Sequence, residues 1–121
     1  MEDWHFHLST LFPEVRPKEY FELRSADTIE GEWLAAPVLF VTGLIYDRES
    51  SQRAFEIVGT PNPDLLELAG IKGVAHPALR RMARALADIA LDGAEALGED
   101  YLSRRDVEMA TAYFDRRLSE A

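Results

Sequence analysis

The chain has 121 residues, which suits one domain with a modest core. Its residues are 47% hydrophobic and 29% charged, so disorder along the whole length is excluded. A net charge of −9 excludes the basic surface with which proteins bind nucleic acid, and anionic membranes would repel such a chain. We therefore expect neither nucleic acid nor a membrane among its partners.

Cysteine is absent, which excludes disulfides, a thiolate nucleophile and a cysteine-based zinc site. The first residues have neither a basic start nor an apolar core, so no signal peptide is predicted. The longest apolar stretch, residues 34–46, is shorter than the roughly 20 residues of a membrane span. These features predict a cytoplasmic protein.

The first 27 residues predict one or two strands. Residues 4–8 alternate between apolar side chains and histidines, the period of a strand. A loop follows, because Pro13 and Pro17 cannot lie inside a central strand. Residues 20–24 alternate again and predict a five-residue strand that can bury its apolar face, which carries Phe21 and Leu23.

The opposite face of this second strand carries Glu22 beside Arg24. A carboxylate can hold Mg²⁺ and an arginine can clamp a phosphoryl group, whereas the alternative is an ion pair of little energetic value. Arg16 lies in the proline-flanked loop, where a rigid backbone suits anion binding; a plain surface arginine is the alternative.

Two histidines on the first strand form a further candidate site. His5 and His7 would share one strand face, as metal ligands can, with a third ligand from Glu14 or Glu22. The alternative is that both histidines only pack or face solvent.

Residues 28–121 predict about five helices. Asp27 and Glu30 form a capping signal for a first helix that ends near Tyr46. This helix is apolar nearly all round and is therefore predicted to be central, with Pro37 in its first turn or at a kink.

The later helices have clear start signals. A short helix is predicted from Arg48 to about Val58, a third from the Asn62-Pro63 cap to about Ala69, a fourth after His76-Pro77 with an apolar stripe from Leu79 to Leu97, and a fifth capped by Ser103 with Asp106. The arginines at 80, 81, 84, 104 and 105 are interpreted as solvated helix faces.

Together these elements predict an α+β fold, mostly α, in which residues 1–121 form a single domain. Its segments are a strand and loop region, 1–27, and a helical region, 28–121. An isolated two-stranded hairpin is marginal in water, so the strands need a partner sheet or a helix to cover them.

Residues 7–27 read HLSTLFPEVRPKEYFELRSAD. They resemble the C-terminal signature of the plant and bacterial type of glutamate–cysteine ligase, in which a histidine-led stretch runs through Phe-Pro-x-Val-Arg into Tyr-x-Glu-x-Arg-x-x-Asp. The matching positions are His7, Phe12, Pro13, Val15, Arg16, Tyr20, Glu22, Arg24 and Asp27. Residues 35–37 and 42–47 are similar to the family's first helix after this motif.

The resemblance implies that the strands are a remnant of a catalytic sheet related to that of glutamine synthetase. It also implies a reaction that joins glutamate to the amine of cysteine through a γ-glutamyl phosphate, with ATP and Mg²⁺. By similarity, Glu22 would be a metal ligand and Arg24 would contact the phosphoryl group or glutamate. Arg16 would bind a substrate or phosphate anion, and His7 would help shape the substrate pocket.

Ligases of this type are several hundred residues long and carry most of their metal ligands upstream of the motif, so we expect this chain to be inactive alone. Three hypotheses follow: a ligase portion completed by an N-terminal catalytic portion, a non-catalytic helical interaction module, and a small metal- or anion-binding protein. The first predicts an exposed apolar edge around residues 4–24. The second predicts that helices of this chain or a symmetric copy cover that edge, and a homo- or hetero-oligomer is possible.

Overall fold

The computed structural model describes residues 15–17, 19–26, 28–60 and 62–119. Two strands, β1 (Val15–Pro17) and β2 (Phe21–Leu23), precede the helices α1 (Ala35–Tyr46), α2 (Arg48–Val58), α3 (Pro63–Lys72), α4 (Pro77–Leu97) and α5 (Arg104–Leu118). Two 3₁₀ turns, Gly31–Trp33 and Gly73–Ala75, precede α1 and α4. The predicted α+β fold, mostly α, is confirmed.

The strands form a two-stranded antiparallel sheet in which Arg16 lies opposite Glu22. Two details of the prediction were wrong. The second strand has three residues rather than five, and Arg16 lies in a strand rather than in a loop. Pro17 closes β1, where it is tolerated because each strand of a two-stranded sheet is an edge strand. The strand predicted over residues 4–8 lies outside the described residues.

Helix α1 begins later than its sequence signals predicted. Residues 28–30 have no regular structure, and Glu30 is the N-cap of the 3₁₀ turn rather than part of a capping box for a long helix. The helix proper starts at Ala35. Pro37 therefore lies in the first turn, where its missing N–H removes no helical hydrogen bond.

Helix starts further along the chain agree with the predicted caps. The Asn62 side chain accepts hydrogen bonds from the amides of Asp64 and Leu65. Ser103 forms the predicted capping box, accepting from the Asp106 amide at 3.2 Å while its own amide donates to the Asp106 carboxylate at 3.1 Å. These bonds satisfy amides that the first turn of a helix leaves without helical partners. Helix α3 runs three residues beyond its predicted end.

The core lies where α1 packs against α4 and α5. Helix α1 contributes Ala36 and Leu39, which are fully buried, and it also contacts α2, so its predicted central place is confirmed. The buried positions of α4 and α5 are Leu79, Ala87, Ile89, Ala90, Ala94, Ala110 and Phe114. Of the stripe predicted on α4, Leu79, Ile89 and Gly93 are buried, whereas the α4 residues of the core cluster are Ala87, Ala90 and Ala94.

Helices α1 and α4 cross with their backbones in close approach. A Cβ atom placed on Gly43 would lie 1.9 Å from the carbonyl oxygen of Ala90. One placed on Gly93 would lie 2.1 Å from the carbonyl oxygen of Gly43 and 2.9 Å from Ser50 Oγ. Glycine is therefore required at both positions because there is no room for a side chain, and not because of the backbone dihedral angles.

Arg84 joins α4 to α5 from a helix face that was predicted to be solvated, and its side chain stays 36% exposed. Its guanidinium is 2.8 Å from the Asp88 carboxylate on the same helix and also binds Asp115 on α5. The hydrogen bonds that Arg84 donates to Asp115 and, second, to Asp88 raise the pKa of Arg84 above its usual value. Trp33 packs on Tyr113 with ring centroids 5.7 Å apart, which ties the first 3₁₀ turn to α5.

Among the helices described, none combines the length and apolar character that crossing a membrane requires.

Candidate functional site

The hairpin presents an ion pair on one face. Because Arg16 and Glu22 are directly opposite in the antiparallel register, their side chains project from the same side of the sheet. Arg16 Nη1 lies 3.5 Å from Glu22 Oε2, and the two side chains are 26% and 34% exposed. The site therefore combines a guanidinium and a carboxylate at a partly shielded position.

Arg24 follows directly after β2 and is exposed. The sequence placed Glu22 beside Arg24 along one strand, and the structure adds Arg16 from across the ladder. Glu22 thus has an arginine two residues further along the chain and a second arginine opposite it. These three residues are called the hairpin triad below.

The chemistry of the triad suits a metal–phosphate ligand. Mg²⁺ is usually held by one or two carboxylates together with phosphate oxygens, and arginine matches phosphate with its planar fork of N–H donors. A partly exposed ion pair contributes only about 0–1 kcal/mol to stability. Folding therefore gains little from the Arg16–Glu22 ion pair itself.

The opposite face of the hairpin is apolar and exposed. Val15 is 42% exposed, Phe21 76% and Leu23 41%. This exposure agrees with the first hypothesis, which predicts an exposed apolar edge around residues 4–24. Within the described residues neither strand packs extensively on a helix, so the chain's own helices do not provide this cover.

Several residues of the predicted site lie outside the described part of the chain. His7, proposed to shape a substrate pocket, is one of them, as are His5 and Glu14 of the alternative metal site. In the ranges that the structure does describe, no group of three His, Asp or Glu side chains is placed to hold a metal ion.

Sequence reasoning missed the Arg16–Glu22 pairing, although a signal was present. Residues 18–20 separate Pro17 from Phe21, and three residues are an ordinary length for a hairpin loop. Extending the ladder from that loop places residue 16 opposite residue 22. Because the prolines favoured a loop over residues 13–17, a strand that pairs residue 16 with residue 22 was not predicted.

A two-stranded hairpin with an Arg–Glu face, followed by a helical bundle, defines a mostly helical α+β segment. The model of glutamate–cysteine ligase family 2 matches residues 1–110. The chain belongs to this family.

Plant relatives agree with this assignment. The chloroplastic glutamate–cysteine ligase of Medicago truncatula is 34% identical over 108 residues, 81% of this chain and 21% of the relative. That of Arabidopsis thaliana is 36% identical over 106 residues, 79% of this chain and 20% of the relative. Glutamate–cysteine ligase A of Oryza sativa subsp. japonica is 52% identical over 54 residues, 43% of this chain and 11% of the relative.

The chain spans about a fifth of the length of the curated relatives that match most of it. No solved structure matches it significantly.

Proposed function

We propose that this chain is the C-terminal portion of a glutamate–cysteine ligase and brings the hairpin triad to an ATP- and Mg²⁺-dependent site completed by the rest of the enzyme. The observation that carries the proposal is the register that places Arg16 opposite Glu22. Family membership supports the reaction class, and the exposed apolar face of the hairpin supports the need for a covering portion.

The proposed reaction has two steps. A γ-carboxylate oxygen of glutamate attacks the terminal phosphorus of ATP, and ADP leaves. The cysteine amine then attacks the acyl carbon of the γ-glutamyl phosphate, inorganic phosphate leaves, and the amine loses a proton. Bound Mg²⁺ would supply neutralisation of the phosphate charge.

The residues of this chain have roles of charge and position in that reaction. Glu22 would help to hold the metal ion, which requires its carboxylate to turn from Arg16 toward the ion. Arg16 and Arg24 would bind the oxygens on which negative charge is redistributed as the phosphoryl group transfers. No covalent bond to the protein is needed, so the arginines act by orientation and electrostatics.

The test combines this chain with the remainder of a relative. The chain is mixed with a polypeptide that contains the part of the Arabidopsis ligase outside the matching residues. ADP release that depends on glutamate, cysteine and Mg²⁺ is then measured. We expect activity with both polypeptides and a loss of at least about 100-fold with Glu22→Gln or Arg24→Ala, the size typical for removing one group that stabilises transition-state charge.

Arg53→Ala is the matched control, because Arg53 also forms a partly exposed ion pair, with Asp92 at 2.8 Å, but on α2. It should leave ADP release unchanged. An inactive mixture, or full activity of Glu22→Gln and Arg24→Ala, would reject the catalytic proposal. The non-catalytic interaction module would then be the better description.

A further inference from the structure

Helix α1 is apolar on two opposite sides. Its inner side, at residues 36, 39 and 43, is buried in the core. The other side has four apolar residues at successive spacings of four, three and four. We call these residues, Leu34, Val38, Val41 and Ile45, the outer stripe. Leu34 is 56% exposed, Val38 55% and Ile45 59%.

The outer stripe continues into apolar surface at both ends. At the N-terminal end, Leu34 and Val38 line a shallow groove of about 630 Å³ with Leu102 and Met109. The charged residues Glu32, Arg105 and Asp106 also line this groove.

At the C-terminal end, Ile45 lines a second depression together with Tyr46 and Phe55. Tyr46 is 65% exposed and Phe55 70%. The eleven-residue step from Leu34 to Ile45 spans about 17 Å of helix.

An exposed apolar band of this kind is unusual on the surface of a monomeric protein. A helix that is apolar all round is normally buried on all sides, and monomeric proteins rarely expose contiguous apolar patches above a few hundred Å². An apolar core with charged groups at its rim is the arrangement of a protein–protein interface. The band therefore calls for a protein surface to cover it.

Family membership indicates the occupant. The family match includes the whole outer stripe, and the Medicago and Arabidopsis relatives contain the matching segment in chains about five times its length. We propose that the outer stripe is the surface on which the remaining polypeptide of the ligase packs, through an apolar patch of its own. This inference rests on the proposed function, but it concerns a different face from the hairpin triad.

The experiment measures binding rather than catalysis. Titration calorimetry gives the Kd between this chain and the part of the Arabidopsis ligase outside the matching residues. Val38→Glu places a charge inside the stripe and Ile45→Glu places one at its C-terminal end, next to the second depression. Each should weaken binding at least about 100-fold, as expected for positions that an interface buries. Because both side chains are more than half exposed, the circular dichroism and Tm of the free chain should stay close to those of the parent.

Leu66→Glu is the matched control, since Leu66 is 70% exposed but lies on α3, away from the stripe. It should bind as the parent does. Glu22→Gln should also bind normally while ADP release is lost, which separates docking from chemistry. Binding that Val38→Glu abolishes, in a mixture that releases no ADP, would support the inference and reject the proposed function.

Three outcomes would overturn the inference. One is parent-like binding by Val38→Glu and Ile45→Glu, or an equal loss with Leu66→Glu. Another is no binding of the parent chain. The third is self-association of the parent chain that Val38→Glu abolishes in light scattering, since the stripe would then join two copies of this chain.

Discussion

Replacing Gly43 by alanine tests the close crossing of α1 and α4. The new methyl group would lie 1.9 Å from the carbonyl oxygen of Ala90, and also 2.8 Å from the carbonyl carbon of that residue. Favourable separations of non-bonded heavy atoms are about 3.5–4 Å, so the helices must separate by roughly 1.5 Å. The obstacle is helix backbone and not a side chain that can rotate away.

Two opposing effects determine how much Gly43→Ala changes the free energy of unfolding. Overpacking a core typically costs about 1–3 kcal/mol, and a clash with backbone belongs at the upper end of this range or beyond it. Alanine favours a helix over glycine by about 0.5–1 kcal/mol. The net loss in the free energy of unfolding is therefore about 2 kcal/mol, which corresponds to a fall in Tm of roughly 8 °C at about 4 °C per kcal/mol.

Gly70→Ala is the matched control. Gly70 lies inside α3, and a Cβ atom there would meet nothing within 4 Å. The substitution should raise stability by about 0.5–1 kcal/mol, so the two glycine variants should differ by about 3 kcal/mol in urea unfolding. A Gly43→Ala variant as stable as Gly70→Ala would show that the crossing is looser than described and refute the reasoning.

Two further predictions concern charged groups. Arg84→Met removes the bridge from α4 to α5 and should lower the free energy of unfolding by about 0.5–1 kcal/mol in low salt, with a smaller loss in 1 M NaCl; a loss that does not depend on salt would contradict an electrostatic origin. Asp47 accepts a hydrogen bond from the Ser50 amide at 2.8 Å, and the backbone and side-chain hydrogen bonds of Ser50 lower the pKa of this carboxyl below 3.8. The contribution of this carboxylate to stability is therefore present above about pH 3.8 and is lost as the pH falls through the lower folded-state pKa. The difference in urea midpoint between Asp47→Ala and the parent should thus be smaller at pH 2 than at pH 7. A difference that is undiminished at pH 2 would reject this assignment.

The helix boundaries that the sequence predicted well are those set by neighbouring residues. Asn62 and Ser103 cap helices through bonds to amides two or three residues away, so a short window of sequence contains the whole cause. The start of α1 was missed because it depends on a distant element. Trp33 packs on Tyr113 of α5, and the guanidinium of Arg116 lies 5.9 Å from the Trp33 ring. These contacts hold a 3₁₀ turn where the capping signal predicted continuous helix.

The candidate site shows the same contrast between features set by neighbouring residues and features set by distant ones. Glu22 and Arg24 could be selected from their own alternation, whereas the approach of Arg16 depends on the register between two strands. Alternation showed that Phe21 and Leu23 share an apolar face but not which chain covers it, so their exposure was expected only from the hypothesis of a missing catalytic portion.

The glycine crossing also has a mechanical consequence. Side chains that interdigitate between helices can change rotamer and absorb small displacements, but backbone in contact with backbone has no such freedom. At Gly43 and Gly93 the two helices meet in this way, with Ser50 packed beside them. Helices α1 and α4 should therefore move together as one rigid body, so that a force on the outer side of α1 also displaces α4.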